Sequence, residues 1–368
     1  MDEMRAMTPL REVLDDVLAG HRLTEEEAVR LLSTRDRDVL AIAAAADELR
    51  ERKVGDTVTY IRNQNINVTN LCVNACGFCG FSRKPGDADA FFYDEAVVRE
   101  KARAARERGV TEVCTVSGLH PDFDARSYAE IYSWIRDEAP GVHIHASNPM
   151  EVAYAARKSG ISTREVLELM RDAGLATLCG TAAEILVDDV RRTICPGKID
   201  TATWVRIIKE AHRLGIRSTA TIMYGHCESA GDRARHLAIL REIQDETGGF
   251  TEFVPLSFIH KTTPLHRAGQ ASPGATGRED LLLFAVARLF LDNFDHIQAS
   301  WVKIGTKMAQ MALLSGANDL GGTLFEESIS REAGARDTDY LDPAEMQRMA
   351  GDLGRTLRRR TTTYTLLD

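Results

Sequence analysis

Apolar and polar positions change their rhythm along the chain. Residues 9 to 53 carry the spacing of amphipathic helices, as in "LREVLDDVLAG" and "TEEEAVRLLS", where Thr24 followed by Glu27 has capping-box spacing. From about residue 58, β-branched apolar runs alternate with amphipathic stretches. The predicted strands are "TYIRNQNINVT", "EVCTVSG", "VHIHAS", "ATLCG", "STATIMYG", "TEFVPLSF" and "HIQASWVKI", with a weaker one at "DLGGTL". The predicted helices lie at 94–108, 126–138, 163–173, 201–214, 231–245, 279–293 and 305–315. Strands alternating with helices of this length build βαβ units and a parallel sheet. So many units in succession predict an α/β protein, a TIM-type (βα)8 barrel over 57–368 with a C-terminal helical tail. Residues 1–56 are then a short N-terminal helical extension.

Such barrels build their active sites at the C-terminal ends of the strands. Here those ends read "NVTNLC", "SGLHP", "ASNPME", "CGTAAE", "YGHCE", "SFIH" and "SWVK", rich in polar, titratable and small residues. The loop "SRKPGDADAFFYD", residues 82–94, is placed to contribute to a lid, and "AGQASPGATGR", residues 268–278, reads as a flexible loop.

Composition narrows the class. With 44% apolar residues, 27% charged residues and a net charge of −9, the chain reads as a soluble globular protein. Its basic residues are scattered, which argues against nucleic acid as a partner; the Arg-rich "GRTLRRRTTTY" reads as a solvated helix end. No apolar run is long enough for a membrane span, and "MDEMRAMTPLREV" lacks the apolar core of a signal peptide, so a cytoplasmic protein is expected. Seven cysteines, an odd number, fit ligands or core positions better than a disulfide framework.

Three of those cysteines, Cys72, Cys76 and Cys79, crowd into "NVTNLCVNACGFCGFSR" after the first strand. Thiolates are natural ligands of zinc and of iron-sulfur clusters. A structural zinc site normally closes with four protein ligands. Three thiolates on a cubane of four irons leave one iron open to substrate or cofactor. Cys114 reads as a core residue, while Cys179, Cys195 and Cys227 lie nearer the expected mouth, where a fourth ligand would have to come from.

The three-residue then two-residue cysteine spacing, with Phe78 before the last cysteine, resembles the radical S-adenosylmethionine superfamily. "HPD", "PMEV", "GTAAEIL", "VRRTICPGKI", "TATIMYGH", "QDETGGFTEFVPLSFIH", "SWVKIG" and "GANDLGGT" are similar to its tyrosine-using branch, which holds FO synthase subunit 2 and aminofutalosine synthase. The resemblance implies a 4Fe-4S cluster on Cys72, Cys76 and Cys79, with S-adenosylmethionine on the open iron. It implies a 5′-deoxyadenosyl radical that takes hydrogen from tyrosine. Cleavage of the Cα–Cβ bond and transfer of a 4-hydroxybenzyl fragment to 5-amino-6-(D-ribitylamino)uracil then make the deazaflavin FO. A flavodoxin or ferredoxin is implied as reductant. Two alternatives stand beside this: a paralogue acting on another amino acid or acceptor, and a non-catalytic metal- or cluster-binding protein. At strand ends the chain departs from the branch's usual residues, with Ser117 before Gly118 for two glycines, Ser147 and Asn148 for Phe-Ser, Cys179 for a proline and Cys227 for a valine.

Site residues follow from the strand ends and the resemblance together. Ser117 and Gly118 are placed to present backbone groups to the cofactor's methionine amine. Glu184 is placed for its ribose or ammonium group, Arg191 or Arg192 for its carboxylate, and Met223, Tyr224 and Gly225 for its adenine. Histidines move protons at neutral pH, and His120, His145, His226 and His260 each fall near the end of a different strand. They are the candidate proton carriers. Asn67, Thr69, Asn70, Ser147, Asn148, Glu151, Ser257 and Ser300 occupy comparable places as candidate substrate contacts. Lys303 and Asp319 are candidates to pair with the substrate's carboxylate or ammonium group.

Overall fold

A computed structural model describes residues 9–335 and 340–367. The first predicted strand folds as two, β1 (Thr57–Ile61) and β2 (Asn63–Asn65), because the chain changes partners at Arg62. β1 pairs in parallel with β8 (Asp319–Gly322) and β9 (Thr356–Arg359), whereas β2 pairs with β3 (Glu112–Thr115). From β3 the parallel sheet continues through β4 (His143–Ala146), β5 (Leu175–Leu178), β6 (Arg217–Tyr224) and β7 (Phe250–Ser257). Parallel bridges from Phe253 to Ile297 and from Gln298 to Asp319 carry the curl from β7 to β8. The result is an α/β barrel of the TIM type, as predicted.

Two expectations need correction. "HIQASWVKI" pairs only at Ile297 and Gln298, then turns after Ser300 into a short helix, Trp301–Ile304. That turn lets the buried Trp301 indole donate to the Gly322 carbonyl of β8 at 2.9 Å. Between β4 and β5 the chain also forms an unpredicted helix, Pro149–Ser159, ahead of the expected one at Thr163–Ala173. Asn148 caps it, its Oδ1 accepting from the N–H groups of Met150 and Glu151 at 3.0 and 3.1 Å, and Pro149 occupies the first turn.

Outside the barrel, Glu25–Leu32 packs on the helices Ala230–Thr247 and Gly277–Phe290, Asp38–Val54 packs on Gly277–Phe290, and Leu10–Leu18 packs on Asp38–Val54. The Thr24 capping box forms, with Glu27 N–H donating to Thr24 Oγ1 at 3.2 Å and Thr24 N–H to Glu27 Oε2 at 2.8 Å. Leu23, Ala28 and Leu31 are buried beneath it. Among the described residues no helix is long and apolar enough to cross a membrane.

Alternation along the strands sets what faces the lumen. Ile61, Asn63, Asn65 and Asn67 face it from the first strand pair, and Glu112, Cys114 and Val116 from β3 and the residue beyond. Thr219, Thr221 and Met223 face it from β6, and Glu252, Val254 and Leu256 from β7. An ordinary barrel fills this space with branched apolar side chains. Here it is polar and partly open.

The C-terminal tail closes the floor, and this corrects the expectation of a solvated helix end for "GRTLRRRTTTY". Its first residues form β9 at the barrel's base, which carries Arg360 inward. The Arg360 guanidinium is 2% exposed and pairs with both oxygens of Asp319 and with Glu252 Oε2 at 3.3 Å. Tyr364 O–H donates to Glu252 Oε2 at 2.5 Å, Thr59 O–H to Asp319 Oδ2 at 2.5 Å and Thr362 O–H to Glu112 Oε2 at 2.8 Å. Burial pushes Glu252 above the usual carboxylate range, with Arg360 pulling the other way.

Removing Arg360 leaves two carboxylates buried without their cation. Arg360→Met is expected to destabilise the protein by about 3–5 kcal/mol in chemical denaturation, well beyond the loss for the exposed ion-pair variant Arg192→Met.

Candidate active site

One cavity of about 410 Å³ runs from the C-terminal mouth of the barrel down to the Arg360 floor. Cys72, Cys76 and Cys79 line its mouth together with Phe78. Their loop is tied to its neighbours by backbone hydrogen bonds. Gly77 N–H donates to Ile194 C=O at 2.8 Å and Leu265 N–H to Gly77 C=O at 2.7 Å. Cys72 N–H reaches Arg83 C=O at 3.1 Å and Val73 N–H reaches Leu119 C=O at 3.0 Å. Gly118 makes the close approach from β3 possible, since a Cβ there would lie 2.3 Å from the Leu71 carbonyl oxygen.

Behind the cysteines a charged pair faces the same space. Lys198 Nζ sits 2.6 Å from Glu184 Oε1 and 5.2 Å from the centre of the Phe78 ring. Burial alone would lower the Lys198 amine, but Glu184, with Cys76 and Cys195 beside it, outweighs burial and raises it. Burial pushes the Cys76 thiol up to about 12, with Lys198 opposing. Lys303 lines the mouth as well; burial lowers its amine, against Glu327 and Glu184. Lys198 lies in "CPGKI", 14 residues beyond Glu184, and no local pattern in the sequence marks the pair.

Four buried polar atoms on the cavity wall have no hydrogen-bond partner: Asn65 Oδ1, Asn74 Nδ2, Glu151 Oε2 and Thr181 Oγ1. Native interiors keep such atoms rare because each costs about 1–3 kcal/mol. Four such atoms on residues that line one cavity mark it as a place for polar ligand groups. Among the described residues no three His, Cys, Asp or Glu side chains converge tightly enough for a single metal ion. The three thiols open instead onto a space shared by Phe78, Lys198 and Glu184, which fits a larger cluster with a polar cofactor beside it.

Of the predicted residues, the cavity gathers the three cysteines, Phe78, Ser117, Gly118, Glu184, Met223, Asn67, Asn148, Glu151, His145, Ser257, Ser300 and Lys303. His145 is buried and lowered by that burial, with Nδ1 2.8 Å from Thr177 Oγ1.

The other predicted residues lie outside the cavity wall, each for a visible reason. Asp319 is spent on Arg360 and Thr59 at the base. Arg191 turns inward and donates to the carbonyls of Ala182, Ala183, Ile185 and Ile199, locking the loop after β5. Arg192 is exposed and pairs with Asp189. Tyr224 faces outward, its hydroxyl donating to Asp280 at 2.7 Å. Gly225 and His226 form the turn beyond it, with backbone N–H groups donating to Glu228 at 2.6 and 2.9 Å. His120 packs between Phe92 and Phe123, and His260 packs on His266. Thr69 and Asn70 fasten the 82–94 loop instead, holding Phe91 and Asp89 by their backbones. Ser147 bonds the Tyr132 hydroxyl at 2.5 Å.

Comparison with known proteins agrees with this geometry. Residues 66–240 match the radical SAM superfamily and residues 247–368 match the CofH/MqnC C-terminal region. The chain is 87% identical, over 98% of both chains, to the 5-amino-6-(D-ribitylamino)uracil–L-tyrosine 4-hydroxyphenyl transferase of Methanoculleus marisnigri. It is 47% identical, again over 98% of both, to the transferase of that name from Methanothermobacter thermautotrophicus. It is also 47% identical to FO synthase of Mycobacterium tuberculosis, over 96% of this chain but 42% of that protein. Among solved structures, methylornithine synthase superposes with a TM-score of 0.75 at 19% identity, covering 94% of this chain and 97% of that one. HydG, a maturase of the [FeFe]-hydrogenase, gives 0.76 at 16%, covering 98% and 78%. These two share the fold. With a cysteine loop over a polar barrel lumen and 47–87% identity to such enzymes over 98% of its length, the chain belongs to the 5-amino-6-(D-ribitylamino)uracil–L-tyrosine 4-hydroxyphenyl transferase family of radical S-adenosylmethionine enzymes.

Proposed function

We propose that this enzyme takes hydrogen from tyrosine, breaks its Cα–Cβ bond and joins the 4-hydroxybenzyl fragment to 5-amino-6-(D-ribitylamino)uracil, forming the FO skeleton. The observation that carries this is the full-length likeness to transferases bearing that name. Cys72, Cys76 and Cys79 would hold a 4Fe-4S cluster and the cavity beside them S-adenosylmethionine, and together these groups would supply, on reduction, the hydrogen-abstracting radical chemistry. Flavodoxin or ferredoxin is the class of reductant such a cluster needs.

The chain's own residues bind, orient and shield. Iron binding requires thiolates, so Cys76 must give up a proton that burial holds tightly, and the Lys198 ammonium beside it eases that loss. Lys198 and Lys303 are the cations at the mouth for a carboxylate, and Glu184 holds Lys198 in place. Phe78 and Met223 give apolar wall, and the Ser117–Gly118 backbone forms the rim beside the cysteine loop.

Deeper in, the wall suits the acceptor. Asn63, Asn65, Thr219, Thr221, Glu252 and Gln298 offer donors and acceptors to a pyrimidine ring and a chain of hydroxyls. The Arg360 floor and the loops above keep water from the radical fragments.

Anaerobic incubation of the reconstituted enzyme with reductant, S-adenosylmethionine, tyrosine and the aminouracil is expected to yield 5′-deoxyadenosine together with a 4-hydroxybenzyl adduct in mass analysis. Formation of 5′-deoxyadenosine without that adduct refutes the acceptor. Cys76→Ala is expected to lose the cluster's brown absorbance and bound iron while keeping its far-ultraviolet circular dichroism. Lys198→Met, compared at equal iron loading, is expected to weaken S-adenosylmethionine binding about tenfold or more in equilibrium titration.

A further inference from the structure

Glu151 stands out among the groups on the cavity wall. It is 2% exposed, sits in the first turn of the helix Pro149–Ser159 and reaches the cavity near the cysteine loop. Backbone N–H groups of Ser117 and Asn148 interact with its carboxyl, yet Oε2 is buried with no partner. A helix N-terminus prefers an anion, and a buried carboxylate oxygen without a partner, on a side chain that lines a ligand space, requires a donor. The nearest cation, Lys198, is already held by Glu184.

We propose that the Glu151 carboxylate is the counter-ion for the α-ammonium group of the amino-acid substrate. The inference rests on the radical-transferase assignment, which brings tyrosine to this cavity. The contact is a charge-assisted N–H···O bond to the carboxylate.

The electrostatics give the binding a signature. Burial pushes Glu151 up to about 8, so in the absence of a cation it is protonated at neutral pH. An arriving ammonium favours the ionised form, and the proton leaves the protein. Proton release is therefore expected below about pH 8 and fades as the pH rises through that value. The ionisable groups facing Glu151 do not compete in this window. Burial raises Tyr128 and Tyr132, on the helix Ala125–Glu138, and Cys179, just beyond β5; the Lys198 amine is raised by Glu184 against burial.

The test is calorimetric titration of the cluster-loaded enzyme at pH 7 in two buffers of different ionisation enthalpy. Tyrosine is titrated with and without saturating S-adenosylmethionine. Release of about one proton on tyrosine binding is expected. In Glu151→Gln tyrosine should bind about tenfold or more weakly and release no proton, while S-adenosylmethionine affinity changes less than about twofold. Glu151→Asp should restore the proton release even if affinity stays low, a rescue that a merely structural role would not give. Binding of tyrosine to the wild-type enzyme without proton release overturns the proposal, as does release that persists in Glu151→Gln. Formation of 5′-deoxyadenosine by the same wild-type preparation tests the underlying assignment separately.

Discussion

A barrel with a polar, open lumen has to be held together without its usual filling. Interior layers of branched side chains normally carry the cohesion of a (βα)8 barrel. Here asparagines, threonines, glutamates and a histidine occupy those places, so cohesion moves to the outer helices and to the floor. The Arg360 network is the floor's answer. One guanidinium bridges β8, through Asp319, to β7, through Glu252, and it is delivered by β9, which pairs beside β1. The same ions that seal the base form the bottom wall of the ligand cavity.

The mouth is held by a different means. The cysteine loop has little apolar content to bury, yet it is fastened by backbone hydrogen bonds to segments beyond β3 and β5 and to the loop beyond β7. Backbone groups suit this purpose because they leave the thiol side chains free. Thr69 and Asn70 extend the scheme by tying the 82–94 loop alongside. Residues close to the cysteines in sequence thus divide their work, some facing the cavity and others bracing what does.

Charge at the mouth is arranged in the same divided way. Lys198 and Glu184 satisfy each other at 2.6 Å, whereas Glu151 keeps one oxygen without a partner. Leaving a buried acceptor unpaired is costly in the empty protein, and a ligand that supplies the missing donor recovers that cost on binding. Binding energy is in this sense stored in the wall before any ligand arrives.

The sequence alone determined the parallel βα architecture, because periods of two and of about 3.6 are local properties that alternate legibly over most of the chain. It also determined the chemistry of the mouth, since three thiols within one short loop remain together however the rest folds. Tertiary structure decided the rest. Whether a residue just past a strand faces the cavity depends on the turn that follows, and that turn sent His226, Gly225 and Ser147 away while keeping Met223, Ser117 and Asn148. The paired use of Asp319 and Arg360 joins residues distant in sequence, so an arginine that reads as solvated becomes a buried cation of the floor. Lys198 and the orphaned oxygen of Glu151 belong to the same class. Their meaning lies in which partners are within reach in space, a quantity set by packing across several βα units and by no local pattern of residues.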